Sequence, residues 1–336
     1  GGSEVPAALY WRARLAEEEG DLETARAWYV KCAQRFRNYY YGLISRERLA
    51  QLKGPVNVAA VAYPILDAIP EPKPLSEEAA VTEPPSDDLA AEKSKLLVNA
   101  GLTDFAVKEL QAVEGGTGAN WATLQIARIH QDAGQHHRAV QFLKRAVPSY
   151  YSLEIAELPR AYWDLLFPTP YWTDLQRFAE MNSLDPYLVA SLIRQESEFN
   201  PKALSHANAW GLMQLLPTVG RGEARELRLR GFSTDSLVDP KINMQLGTRY
   251  FREMIEHYNG QVEYALAAYN AGSNRVDDWL ANGKFRDVPE FVETIPFTET
   301  REYVQAIMRN AQVYKALYPQ ESRASVAGSR ARTKQQ

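Results

Sequence analysis

Apolar residues recur at helical spacing along almost the whole chain, and nowhere does a sustained alternation of apolar and polar residues mark out strands. That pattern restricts the chain to an all-α fold. Three segments repeat one device: Gly20 with Ala25, Gly101 with Ala106, and Gly134 with Ala139, each followed four residues later by Tyr29, Leu110 or Leu143. A glycine that ends one helix and an alanine that lets the next pack closely make a helix-turn-helix unit. The spacing is uneven, so ordinary helical hairpins and a short solenoid segment both fit.

The expected organisation follows from these breaks. Residues 1–53 read as the end of a helical superhelical domain, and 54–95 as a linker rich in proline (Pro70, Pro72, Pro74, Pro84, Pro85) and acid. Residues 96–167 read as a helical linker domain. Pro168 to Trp172 marks the start of a second compact unit, 168–320, and a basic tail, 321–336, is expected to be disordered. The opening Gly1-Gly2-Ser3, followed at once by a helical pattern and with no leader-like segment, reads as the edge of a piece of a longer protein.

Charge and cysteine content narrow the function. A net charge of −4 argues against a general nucleic-acid binder. One cysteine, Cys32, rules out an intrachain disulfide and a cysteine zinc cluster. No stretch approaches the ~18 apolar residues of a membrane span, so no stable membrane insertion is expected. His130, His136 and His137 lack the spacing of a zinc site and read as exposed. Gly115-Gly116-Thr117-Gly118 lacks the lysine and the preceding strand of a phosphate loop. No metal and no cofactor are expected.

The chemistry concentrates after Asp185-Pro186, an N-cap followed by proline at the first helical position. The apolar stripe Leu188, Val189, Leu192, Ile193 continues onto Glu196. A carboxyl group on a buried helix face would have a raised pKa, as a general acid working near neutrality needs. The alternative is a glutamate at a frayed helix end, paired with Arg194 or a lysine.

Four blocks follow in order: Glu196-Ser197-Glu198-Phe199-Asn200-Pro201, Gly211-Leu212-Met213-Gln214, Ala268-Tyr269-Asn270-Ala271-Gly272, and Glu293 to Val304 with Ile295-Pro296-Phe297 inside it. Over about 170–318 this chain resembles the soluble lytic transglycosylases, whose lysozyme-like catalytic domain is shared more distantly by goose-type lysozymes. The upstream hairpins resemble that family's superhelical and linker domains.

The resemblance implies an enzyme of the periplasm that cleaves the β-1,4 bond between N-acetylmuramic acid and N-acetylglucosamine in peptidoglycan and leaves 1,6-anhydro ends. It makes Glu196 the single acid/base and puts the Tyr269 hydroxyl beside it. Ser197 would orient Glu196, or simply end the helix. Ser205, Met213 and Gln214 would line sugar subsites, with Asn270 and Glu293 also binding substrate. Trp210 would stack on a sugar or pack.

The implied partners are peptidoglycan glycan strands, with cell-wall synthases or other cell-wall enzymes as possible recruits of the repeats. Two departures from the family pattern stand out. Asn208 replaces a glycine, and asparagine tolerates the left-handed conformation. Ser273 follows Gly272 where proline is usual, and could cap the next helix. Two rival readings are a goose-type hydrolase, with Asp235, Asp239 or Glu293 positioning water, and a non-catalytic glycan-binding scaffold.

Overall fold

The computed structural model describes residues 4–52, 68, 82–113, 119–148 and 150–319. Most of the proline-rich stretch, the Gly115–Gly118 loop and the basic tail lie outside the described residues. Sixteen α-helices account for most of the rest. Strand pairing among the described residues is limited to the isolated bridges Leu204–Trp210 and Trp210–Leu215.

The expected hairpins are present. Helix α1 (Glu4–Glu18) turns into α2 (Leu22–Arg35), and α3 is Tyr40–Gln51. Helix α4 (Leu89–Asn99) turns into α5 (Thr103–Gln111), and α6 (Ala119–Asp132) into α7 (His136–Ala146). At each turn the glycine is left-handed: Gly20 at φ 83°, Gly101 at 75°, Gly134 at 72°. The next amide reaches back five residues, Asp21 N–H to the Ala16 carbonyl, Leu102 to Leu97 and Gln135 to His130, at 2.8–2.9 Å. These bonds satisfy carbonyls that a helix end otherwise leaves unpaired. Ala25, Ala106 and Ala139 are buried to within 1%, as close helix packing requires. Helix α4 begins inside the stretch read as linker, because Asp88 accepts from the Ala91 amide and caps it. The three histidines are half-buried rather than exposed, and burial lowers the pKa of each.

After α8 (Arg160–Leu166), the chain turns through Tyr171 at φ 59° into α9 (Trp172–Met181) and α10 (Pro186–Ser197). Helices α11 (Pro217–Glu226), α12 (Pro240–His257), α13 (Val262–Ala271), α14 (Ser273–Asn282) and α15 (Val288–Thr294) follow. The last is α16 (Thr298–Leu317).

Helices α10 and α16 pack along each other at the centre, where the buried Ser191 hydroxyl donates to the Ile307 carbonyl at 2.6 Å. One core cluster runs from Leu9 to Leu317, and a smaller one joins Val107, Leu110, Trp121, Ala122 and Ile126. Two sets of bonds join the flanking elements. Arg194, 4% exposed, donates to the Leu166 carbonyl at 2.8 Å and to the Tyr150 hydroxyl at 3.0 Å, and lies over the Phe167 ring. Arg14 pairs with Asp287 at 2.7 Å and so fastens α1 to the start of α15. No helix among the described residues is long and apolar enough to cross a membrane.

Candidate active site

The site starts with helix α10. The Asp185 carboxylate accepts from the Tyr187 amide at 2.9 Å, and Pro186 occupies the first helical position. Leu188, Val189, Leu192 and Ile193 are buried, and the same stripe delivers Glu196 to the floor of a groove of about 660 Å³. The helix stops one residue later. Glu198 (φ 49°) and Phe199 (φ 65°) are left-handed, and the Phe199 ring is fully buried. Arg194 points the other way into the core, and Glu196 has no arginine partner among the described residues. Glu198 pairs with Lys144 at 2.9 Å and is not a second acid beside Glu196.

The Tyr303 hydroxyl on α16 donates to Glu196 Oε1. Burial pushes the Glu196 carboxyl up to about 7, although the Tyr303 hydrogen bond acts in the opposite direction. Tyr269 and Tyr303 both titrate well above 10, first because they are buried and then because the Glu196 carboxylate lies close. Each phenol therefore stays protonated as a donor. The acid thus accepts from one neutral phenol, Tyr303, with a second, Tyr269, close by, and can hold its proton near neutrality.

The sequence block before Pro217 folds into a tight loop under this acid. Asn208 takes φ 62°, so asparagine does serve in the left-handed position, and its Oδ1 also accepts from Trp210 Nε1 at 2.8 Å. That bond holds the half-buried Trp210 ring in place. Gly211 (φ 75°) passes so close to Leu237 that a Cβ would lie 2.2 Å from its carbonyl oxygen. Asn243, fully buried, ties the loop down: Oδ1 accepts from the Met213 amide, and Nδ2 donates to the Trp210 and Leu237 carbonyls, all at 2.8–2.9 Å. Asn243 is thus the hydrogen-bond hub of the loop. Gly247 packs directly against the Met213 side chain.

The other expected site residues divide. Ser205, Gln214 and Asn270 line the groove with Glu196. Gln214, at φ 45°, donates its amide to the Gly211 and Ala203 carbonyls, and Asn270 accepts from the Thr300 hydroxyl at 2.6 Å. Tyr269 donates to the Met213 carbonyl at 2.7 Å.

Met213 does not line the groove. Its side chain is fully buried, because the loop turns it toward α12, and only its backbone serves the site. Ser197 makes no bond to the Glu196 carboxyl. Its hydroxyl donates to the Leu212 carbonyl at 2.8 Å and to Ile193 at 3.3 Å, locking the loop to the helix end. Glu293 is not part of the groove lining and accepts from the Tyr41 hydroxyl of α3. Ser273 is the first residue of α14 and not its cap; Gly272, at φ 91°, takes that place with no side-chain bond.

Tyr303, Arg309, Lys144 and Tyr39 also border the groove and were given no role from sequence. For the first two a signal existed. On a helix opening at Thr298, positions 299, 302, 306 and 309 form one stripe beside 303. A second hollow of about 600 Å³, between α2, α3 and the end of α16, includes Arg37 and Arg46 but no acid.

Residues 175–292 match the model of the transglycosylase SLT domain, and 294–322 match that of the soluble lytic transglycosylase helical domain, which falls on α16. The soluble lytic murein transglycosylase of Escherichia coli K12 is 36% identical over 161 residues, 46% of this chain and 24% of that protein. The Salmonella typhimurium protein of the same name is 31% identical over 242 residues, 68% of this chain and 36% of that one. This chain therefore spans only a quarter to about a third of these relatives' length. The solved lytic transglycosylase Slt of Pseudomonas aeruginosa, an inactive mutant, superposes with a TM-score of 0.67 at 25% identity, over 93% of this chain and 46% of that one. Residues 175–292 thus form a transglycosylase SLT domain, and the chain shares its fold with the lytic transglycosylase Slt over nearly its whole length.

Proposed function

We propose that the chain cleaves peptidoglycan glycan strands without water, and that Glu196 is the only acid/base. One observation supports this most: a carboxyl in a groove, held by the protonated Tyr303 phenol and with its pKa raised to about 7 by burial. Such a group gives up a proton near neutrality and can take one back.

The steps conserve atoms and charge. The Glu196 proton goes to the glycosidic oxygen between N-acetylmuramic acid and N-acetylglucosamine, and the C1–O bond breaks. The C6 hydroxyl oxygen of the same muramoyl unit bonds to C1, and its proton returns to the Glu196 carboxylate. The product carries a 1,6-anhydro ring, and the acid is regenerated. Tyr303 stabilises the carboxylate between the two proton transfers. A hydrolase would need a second carboxylate to direct water. Glu299 and Glu302 do line the groove, but as exposed side chains. Asp239 is occupied in capping α12, and Glu293 in accepting from Tyr41.

The division at 53 and 167, with the linker ending ahead of α4 rather than at 95, the periplasmic setting and any recruitment of other cell-wall enzymes by the hairpins belong to the same proposal. Purified sacculi test it, with the products read by mass. The expected products end in anhydro sugars, one water lighter than reducing ends, and Glu196→Gln lowers their release by at least about a thousandfold. Reducing ends would indicate a hydrolase. Undiminished release by Glu196→Gln would remove the assignment of the acid.

A further inference from the structure

Arg309 lies six residues beyond Tyr303 on α16, about 9 Å along the axis at the rise of an α-helix. It borders the groove, with its guanidinium 3.9 Å from the centroid of the Tyr151 ring. Its Nε is buried without a hydrogen-bond partner, and no ion pair among the described residues involves it. The other cation of the groove, Lys144, is engaged with Glu198. Glu299 and Glu302 stand on the opposite side of Tyr303 along the same stripe. The groove is therefore polar along its length, acidic toward the start of α16 and basic toward its end. A stacked arginine has already lost much of its rotamer freedom and presents a planar fork suited to a carboxylate.

We propose that Arg309 is a specificity residue that binds a carboxylate of the peptide stem carried by the muramoyl unit held at Glu196. This rests on the function proposed above. The ligand class follows from the substrate's chemistry. Where the lactyl group is joined to a peptide, the sugars carry no free carboxylate, so an anion reaching Arg309 must come from the stem. An extended chain advances about 3.3–3.6 Å per residue. The lactyl link plus two residues covers the ~9 Å between Tyr303 and Arg309, which brings the first free carboxylate of the stem to the guanidinium. Tyr39, at the start of α3, borders the same groove, so this end is completed by the N-terminal helices.

The test is binding, read by calorimetry with Glu196→Gln protein so that turnover does not intrude. The ligands are a muramoyl disaccharide with its stem, the same disaccharide without the stem, and one whose first free stem carboxylate is amidated. With Arg309 present, the stem is expected to raise affinity about 10- to 100-fold, and amidation to remove most of that gain. In Arg309→Gln the affinity ratio of stem-bearing to stem-free ligand falls toward one, and amidation has no further effect. Arg309→Lys, which keeps charge but not the fork, restores part of the ratio. A ratio that survives Arg309→Gln, or equal affinity of the native site for amidated and free stems, overturns the proposal. The amidated ligand keeps the test valid even if the variant folds poorly. Turnover by Glu196→Gln would count against the proposed function instead.

Discussion

Glu196 would be an ordinary ionised carboxylate in water; its surroundings change that. Burial penalises the charged form and lifts the pKa to about 7, and the one bond that resists the shift comes from Tyr303. The sign of the pH dependence follows. The acid form is populated below about 7 and lost above it, so the activity that needs a proton donor falls as pH rises through that value. In Tyr303→Phe the carboxylate loses its donor, and the Glu196 pKa rises further. The alkaline limb of kcat/KM against pH is expected to move to higher pH, while the maximal rate drops by about 10- to 100-fold for loss of a hydrogen bond that strengthens with developing charge. A limb that stays put or moves to lower pH would show that Tyr303 does not set the state of the acid. Ser197, next in sequence, affects the acid only through the backbone, because its hydroxyl is spent on the Leu212 and Ile193 carbonyls.

Among the elements, the loop from Leu204 to Leu215 depends most on contacts outside itself. It has almost no secondary structure, and its shape is set by left-handed Asn208, Gly211 and Gln214 and by the amide of Asn243 on α12. Removing that amide leaves the Met213 amide and the Leu237 carbonyl unpaired, each costing on the order of 1 kcal/mol or more, while the Trp210 carbonyl keeps the Leu215 amide. Asn243→Ala is expected to lower stability by about 2 kcal/mol in urea unfolding. It should also cut activity, since the Met213 carbonyl that holds Tyr269 moves with the loop. A loss below about 1 kcal/mol would mean that the loop is held mainly by packing.

At the scale of the whole molecule, the N-terminal helices are fastened to the catalytic end by polar ties over a shared core. Arg14, nearly buried, pairs with Asp287 and donates to the Tyr10 hydroxyl. Tyr41 donates to Glu293 and accepts from Gln305, whose helix also carries Tyr303. Arg14→Ala leaves Asp287 without its partner and Tyr10 without its donor. The expected loss is about 2 kcal/mol, set between the small worth of surface pairs and the larger cost of breaking a buried one. Denaturant midpoints at constant slope measure it, and an unchanged midpoint would assign the docking to apolar contacts alone.

Legible in the residues alone were the class of fold, the three glycine–alanine hairpins, the Asp185-Pro186 start of α10 and the position of Glu196 on the apolar stripe of that helix. Each follows from periodicity, caps and the conformational freedom of single residues, all local properties of a short stretch of chain. Asn208 in the left-handed region is legible for the same reason. It took the packed fold to make Tyr303, 107 residues away, the donor to Glu196. That packing also decided that Met213 faces the core, that Glu293 answers Tyr41, and that Arg309 stands in the groove without an acid. Those outcomes depend on how α10, α12 and α16 pack, and helix packing sums many weak contacts between distant residues that no local pattern records.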